Sequence, residues 1–437
     1  MSVRITKQQG GLLTLELTLD LNGSMLEMEN HIQDELNKAG CLATAEAIKQ
    51  FDTDGSPISI SQTKLTARKQ KSSQHYECPY GSFSVTRFLY QSSEGGYTYC
   101  PLEDGARIFL TATPRYAQMI SGLYANGDGG RTCRTLQETL RRPTVKSNVQ
   151  NIAEAVASVA LLKEEKWEYD IPTPDKSVAS IGIGLDGAYV LLRDEGWREA
   201  MSGTISLYDK QGERLHTSYF AAPPEYGKQT FHEKMEREIT RMKAKFPQAT
   251  TIGLGDGAKD NWTFLKTQAD ELALDFWHVS EYLHKAADAY WGVATKWKES
   301  KDEWLEHWHH ILKHDKQGAS LVLNELKRCC SELTGTKAEA VQKAITYVTN
   351  HLALMRYGEL VQRCLPIGSG VTEAACKTVV KSRMCVSGAG WSPNGCGIVL
   401  TLRSLHLTET TWESFWAKIN RYGIPEMKRF GNNQVKT

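Results

Sequence analysis

Three carboxylates stand in settings that suit chemistry at a phosphate. Asp186 lies in "GIGLDG", Asp256 in "TIGLGDG", and Glu373 in "PIGSGVTEAA", which reads as the opening of a helix with Ser369 as its cap. Glycines flank both aspartates, so backbone or phosphate can approach each carboxylate closely. Asp256 follows a buried strand pattern, and ligands of α/β sheets gather at the carboxyl ends of strands. Hard divalent cations take oxygen ligands, and Mg²⁺ typically takes one or two carboxylates plus phosphate and water. Two such ions about 4 Å apart clamp the attacking and leaving oxygens of a phosphodiester. Each acid taken alone has a plain structural reading. Asp256 suits a strand-end turn or helix cap, and Glu373 suits a helix N-terminus with Lys377 four residues on.

"GIGLDG" also fits a dinucleotide-binding turn at Gly182, Gly184 and Gly187. That turn must open a helix, whereas the following "AYVLL" prefers a strand, which argues against a nicotinamide enzyme. Asp186-Gly187 between two apolar runs reads better as a hairpin turn.

The elements that must position these acids follow from periodicity. Residues 11–20 alternate like a strand, 23–49 look helical, and Gly55 and Pro57 break the chain. "GSFSVTRFLYQ" and "GYTYCPL" read as strands joined by "SSEGG". Three helices follow: "RYAQMISGLYANG", "TCRTLQETLRR" and, after the turn "PTVK", "SNVQNIAEAVASVALLKEE" with Ser147 as cap. Short helices and a tight turn before a longer helix make a helix-turn-helix pattern. Arg131, Arg134, Arg141, Arg142 and Lys146 stand there against one acid, Glu138. Lys146, Asn148 and Gln150 fall at the start of the third helix, where base edges are met in the major groove. The alternative is an ordinary helical hairpin with a solvated charged face. Beyond the linker "EYDIPTPDKS", four strand patterns, a helix, and alternating strands and helices predict a mixed α/β sheet. Residues 297–363 read as helical throughout, with no strand signal.

The chain has 437 residues, which suggests two or three domains. Its net charge of +1 excludes a uniformly basic coat but allows a local basic patch. No apolar run reaches membrane-spanning length, and "MSVRITKQQGG" lacks the apolar core of a signal peptide. Ten cysteines without a C-x-x-C pair predict reduced thiols in a cytosolic chain. A zinc site from His75, Cys78 and Cys100 would lack paired spacing and a clear fourth ligand.

In this order, the blocks "GLDGAYV" with "GWREAMSGTIS", "GLGDGAKDNW", "DFWHVSEYLHKAA" and "LPIGSGVTEAACKTVVKSRM" resemble DDE transposases with a ribonuclease H-like fold. They resemble most closely the bacterial insertion-sequence transposases of the ISKra family, as does the closing "GAGWSPNGCGIVLTLRSL". The similarity spans about residues 75–405, and Asp275 and His278 in "DFWH" fit the C/D-x-x-H signature of several transposase groups. The resemblance implies an α/β, ribonuclease H-like mixed sheet with an all-helical insertion, preceded by an N-terminal α+β region and a helix-turn-helix. The corresponding divisions are 1–112, 113–165, 175–296, 297–363 and 364–437. It implies that Asp186, Asp256 and Glu373 are the catalytic and metal-ligating acids, supported by Asp275 and His278. The cofactor implied is Mg²⁺, with Mn²⁺ as substitute. The partners implied are double-stranded DNA, as element ends and target, and further copies of the chain, at least a dimer on DNA. The implied location is the bacterial cytoplasm, on the nucleoid when bound to DNA.

In the implied reaction, cleavage at an element end frees a 3′-hydroxyl that attacks target DNA in the same site. Arg134, Arg141, Arg142, Lys146, Asn148 and Gln150 would bind DNA. Lys377, Lys381 and Arg383 would hold phosphates, or else form a solvated basic face. A transposase-derived regulator and a two-metal nuclease outside transposition are the rivals, but a pure binder has no need of all three acids. Trp297, Trp304 and Trp308, with His307, His309 and His310, read as core of the helical insertion. The sharper alternative has one tryptophan stacking on an unpaired base.

Overall fold

A reciprocal cap starts the first long helix: Ser24 accepts from the Glu27 amide while the Glu27 carboxylate accepts from the Ser24 amide. The computed structural model in which this is seen describes residues 2–60, 62–292 and 298–425. Its chain forms two compact units, one from residues up to Tyr169 together with those from Thr401 onward, the other from Asp170–Leu400.

In the first unit, β1 (Val3–Gln9) and β2 (Leu12–Leu17) form an antiparallel hairpin ahead of α1 (Met25–Lys49). Next come β3 (Ile58–Ile60), β4 (Thr63–Ala67), β5 (Ser72–Cys78), β6 (Gly81–Arg87), β7 (Tyr90–Ser92) and β8 (Gly95–Tyr99). β5 pairs with β6, while β3, β4, β7 and β8 form a separate sheet. The run expected as one strand over "GSFSVTRFLYQ" therefore breaks after Arg87, because its two halves have different partners. Helices α2 (Pro101–Gly105), α3 (Pro114–Asn126), α4 (Gly129–Leu140) and α5 (Lys146–Lys163) complete the N-terminal part. Val145 precedes α5 and Ser147 lies inside it, so the expected serine cap is not used.

The second unit is built on a five-stranded sheet. β9 (Ser180–Leu192), β10 (Gly196–Tyr208) and β11 (Arg214–Ala222) are antiparallel; β12 (Thr250–Gly255) runs parallel to β9, and β13 (Glu271–Leu274) parallel to β12. The spatial order is β11-β10-β9-β12-β13. Asp186-Gly187 is not a hairpin turn. β10 pairs with β9 from Leu192 to Ser180, which holds residues 186 and 187 extended. The reversal falls instead at Asp194 and Gly196, both at positive φ.

Helices α6 (Gln229–Lys245), α7 (Lys259–Gln268) and α8 (Phe276–Trp291) accompany the sheet. Then come α9 (Lys298–His314), α10 (Gly318–Ser331), α11 (Gly335–His351) and α12 (Tyr357–Gln362), with no strand between them. They do not form a domain with a separate core. Leu305, Leu312, Val322, Leu326 and Val341 belong to the same apolar cluster as Ile181, Ile183 and Ile205 of the sheet. Trp304 and Trp308 pack against this cluster, and the Trp304 indole donates to Glu325 at 2.9 Å. The core reading of these two rings is the one their contacts support, while Trp297 lies outside the described residues.

The chain then enters α13 (Gly370–Ala375), a π-helical turn over Cys376–Lys381, and α14 (Ser382–Met384). α15 (Pro393–Leu407) and α16 (Glu409–Tyr422) follow. The segment 364–437 is thus not one catalytic piece, because from Thr401 it belongs to the first unit. There Trp416 and Phe415 meet the rings of Phe109 and Trp167, and Arg403 donates to the Ala125 carbonyl. Among the described residues no helix is long and apolar enough to cross a membrane.

Candidate active site

Register brings the aspartates together. Gly184 of β9 lies opposite Leu254 of β12, and Gly255 of β12 opposite Leu274 of β13. Extending both registers sets Asp186, Asp256 and Asp275 side by side at the carboxyl end of the parallel strands. The Asp275 amide donates to the Gly255 carbonyl at 2.8 Å, so the order persists beyond the strands.

Close packing brings the glutamate. α13 lies over β9 where Gly184 presents no side chain, and the Thr372 and Thr204 hydroxyls meet at 2.7 Å in a buried contact. One residue further along this helix is Glu373. Asp186, Asp256 and Glu373 then line one cleft of about 190 Å³, together with His278, Ser369, Thr372, Lys377 and Lys381.

Ser369 does not cap α13 with its hydroxyl. That hydroxyl and the Ser369 amide both donate to Asp275 Oδ2, the amide at 2.7 Å. The serine is thus aimed at a buried carboxylate, to which a hydroxyl gives a strong charge-assisted bond, and not at the first-turn amides. Its Oγ is also 3.2 Å from Glu373 Oε1. Asp275 itself is fully buried, and its Oδ1 accepts from the Trp277 and His278 amides at 2.5 and 3.2 Å, capping α8. His278 Nδ1 stands 3.5 Å from Glu373 Oε1 and 3.9 Å from Asp275 Oδ2. Asp275, His278 and Glu373 offer ligand atoms within 4.8 Å of one another.

Burial pushes the Asp186 carboxyl above its ordinary range, and the charge of Asp256 adds to this; the Gly187 amide at 2.7 Å, the Cys376 thiol and Lys381 oppose it. Burial and Asp186 push the Cys376 thiol up to about 12, which keeps it a proton donor to that carboxylate. Burial raises Glu373 as well, followed by the charge of Asp275, against His278 and Ser369. The carboxylates converging on the cleft offer oxygen ligands suited to a hard divalent cation, with the His278 imidazole beside them. Lys377 and Lys381 are exposed at its rim. Arg383 is not: it is buried over the Trp391 ring at 4.8 Å. It falls on the inward stripe of Cys376, Val379 and Val380, so the expected phosphate contact is corrected.

The basic residues around α4 and α5 divide in the same way. Arg134, Lys146 and Gln150 are exposed, Gln150 donating to Glu154 at 2.7 Å. Arg141 forks onto Asp34 at 2.7 and 2.9 Å and reaches Asn30 at 3.0 Å. Arg142 is buried; it donates to Glu77 Oε2 at 3.1 Å and to the carbonyls of Cys78 and Pro143, and it lies over Tyr116. Asn148 donates to the same Glu77 oxygen at 2.8 Å. Arg142 and Asn148 thus hold the α4–α5 turn onto β5 and are withdrawn from the DNA-reading set. His75 and Cys78, three apart on β5, point to opposite faces, His75 exposed and Cys78 buried, so they do not share a zinc site with Cys100.

Reading the sequence alone missed Thr204, Thr372 as a packing contact, and Cys376. Only the spacing of Ser369 four residues before Glu373 carried a signal. Comparison with protein-family models and with curated proteins gave no match.

Proposed function

We propose that this chain is a DDE transposase of the ISKra kind, binding insertion-sequence ends and catalysing metal-dependent DNA cleavage and strand transfer. The observation that carries the reading is that Asp186, Asp256 and Glu373, distant in sequence, line one cleft at the carboxyl end of the parallel strands. The strand order third-second-first-fourth-fifth, with the second antiparallel to the first, supports a ribonuclease H-like core. The helices between β13 and α13 support an all-helical insertion in it.

Asp186, Asp256 and Glu373 would hold Mg²⁺, or Mn²⁺ in its place. Bound there, a divalent cation supplies neutralisation of the charge that builds on phosphate oxygens during displacement. The chain's own residues do the rest. Lys377 and Lys381 orient the phosphodiester from the rim, and Cys376 and the Gly187 amide hold the Asp186 carboxylate in place. Arg134, Lys146 and Gln150 around α4 and α5 are the DNA contacts of a helix-turn-helix. The chain acts on double-stranded DNA as at least a dimer, in the bacterial cytoplasm and on the nucleoid.

The test is a reaction with duplexes carrying the inverted repeats that flank the coding region, Mg²⁺ and a target plasmid. Joined products that vanish in Asp256→Asn support the reading. Cleavage without joining makes the chain a nuclease, and end binding without cleavage makes it a regulator.

A further inference from the structure

Asp275 is the buried group at which the segments carrying two of the three acids meet. Its amide is bonded to the Gly255 carbonyl, next to Asp256. The following amide, of Phe276, donates to the Ile367 carbonyl at 3.0 Å. The Asp275 side chain grips the amide and hydroxyl of Ser369, one helical turn before Glu373. We infer that Asp275 is a positioning residue that sets Glu373 through Ser369, and that it is not itself a metal ligand. This rests on the transposase reading of the cleft.

The distinction from a ligand lies in the use of its oxygens. Oδ1 accepts two backbone amides, and Oδ2 accepts an amide and a hydroxyl. Four donors saturate the acceptor sites of a carboxylate. Asp275 has no exposed surface, and besides these four donors its carboxyl meets that of Glu373. Glu373 and His278 differ from it, since each is about one third exposed and faces the open volume. The clamp fixes where α13 begins. Glu373 gains a defined place at the cleft because Ser369 cannot shift without breaking two charge-assisted bonds.

The test compares the wild-type chain with Ser369→Ala, Ser369→Thr, Asp275→Asn and Glu373→Ala. Mn²⁺ binding to the DNA-free protein is followed by electron paramagnetic resonance, and folding by thermal melting. Ser369→Ala is expected to melt cooperatively but bind Mn²⁺ about tenfold more weakly, the loss usual when an outer-shell partner is removed. Ser369→Thr keeps the hydroxyl and is expected to restore most of the affinity. A fall in stability alone, with Mn²⁺ affinity unchanged in Ser369→Ala, overturns the positioning role. So does loss of Mn²⁺ binding in Asp275→Asn alone, which would make Asp275 a ligand. If the wild-type chain binds Mn²⁺ and Glu373→Ala weakens it while both clamp variants do not, only the clamp falls. If the wild-type chain binds no Mn²⁺, the metal reading fails and the clamp's role falls with it.

Discussion

Gly184 and Thr372 face each other so closely that a Cβ at position 184 would lie 1.9 Å from the Thr372 hydroxyl oxygen. That contact seats α13 on β9 and so determines how near Glu373 comes to Asp186.

Gly184→Ala is therefore expected to destabilise the chain by about 1–3 kcal/mol, as overpacking of a tight contact does. It should also reduce cleavage by lifting α13. Thr372→Ala in the same chain removes the nearest obstructing atom, so the double variant should be more stable than the sum of the single effects. Urea unfolding measures this, and strictly additive losses would show that the two residues do not compete for space.

Asp186→Ala and Asp256→Ala are expected to abolish cleavage of element ends while end binding stays within a few-fold of wild type. Chelation of divalent cations should do the same. Gel-shift and cleavage assays on one duplex separate the outcomes. Loss of binding in the Asp186 variant would mean that the cleft also docks the DNA.

Arg142→Ala should act on folding. It leaves Glu77 partly buried without its guanidinium, and breaking such a pair costs about 3–5 kcal/mol. Arg134→Ala with Lys146→Ala should melt normally, bind all DNA more weakly, and lower the log–log salt slope by about two, one for each phosphate contact. Gln150→Ala should narrow the gap between element ends and random duplex. Filter binding at several salt concentrations distinguishes these outcomes.

The Glu325 carboxyl is held down to about 2, chiefly by Arg328 and then by the Trp304 indole. A carboxyl lowered on folding adds stability above its ordinary value of 4.5 and loses it as pH falls toward 2. Glu325→Gln should therefore melt below wild type at pH 7, with the gap narrowing by pH 3. Trp304→Phe should lose about 1 kcal/mol with its hydrogen bond and cut paired and pre-unpaired ends in the wild-type ratio. Selective loss of cutting at paired ends would restore a DNA contact for this ring.

The sequence by itself determined the elements whose residues repeat at a clear period. The helical run over 23–49, the strand leading to Asp256, the strand-free run after Trp297 and the first-turn position of Glu373 are local facts, set by side-chain spacing. It also singled out the two aspartates, because glycine beside a carboxylate in or after a strand is a local pattern, and Glu373 as an acid in the first turn of a helix. Only the tertiary structure decided which partner each group meets. Arg142 and Arg134 have the same side chain, yet one is fixed to Glu77 and the other is exposed, since β5 passes beside only one of them. Asp186-Gly187 fits a turn until β10 pairs along the whole of β9. Ser369 fits a helix cap until Asp275, brought near by the parallel register of β12 and β13, offers a buried charge. The aromatic stripe of α16 can fill any apolar groove, and only the folded chain assigns it to Phe109 and Trp167. In each case a long-range contact competes with a local preference of about 1 kcal/mol, and a buried charge or a packed ring outweighs it.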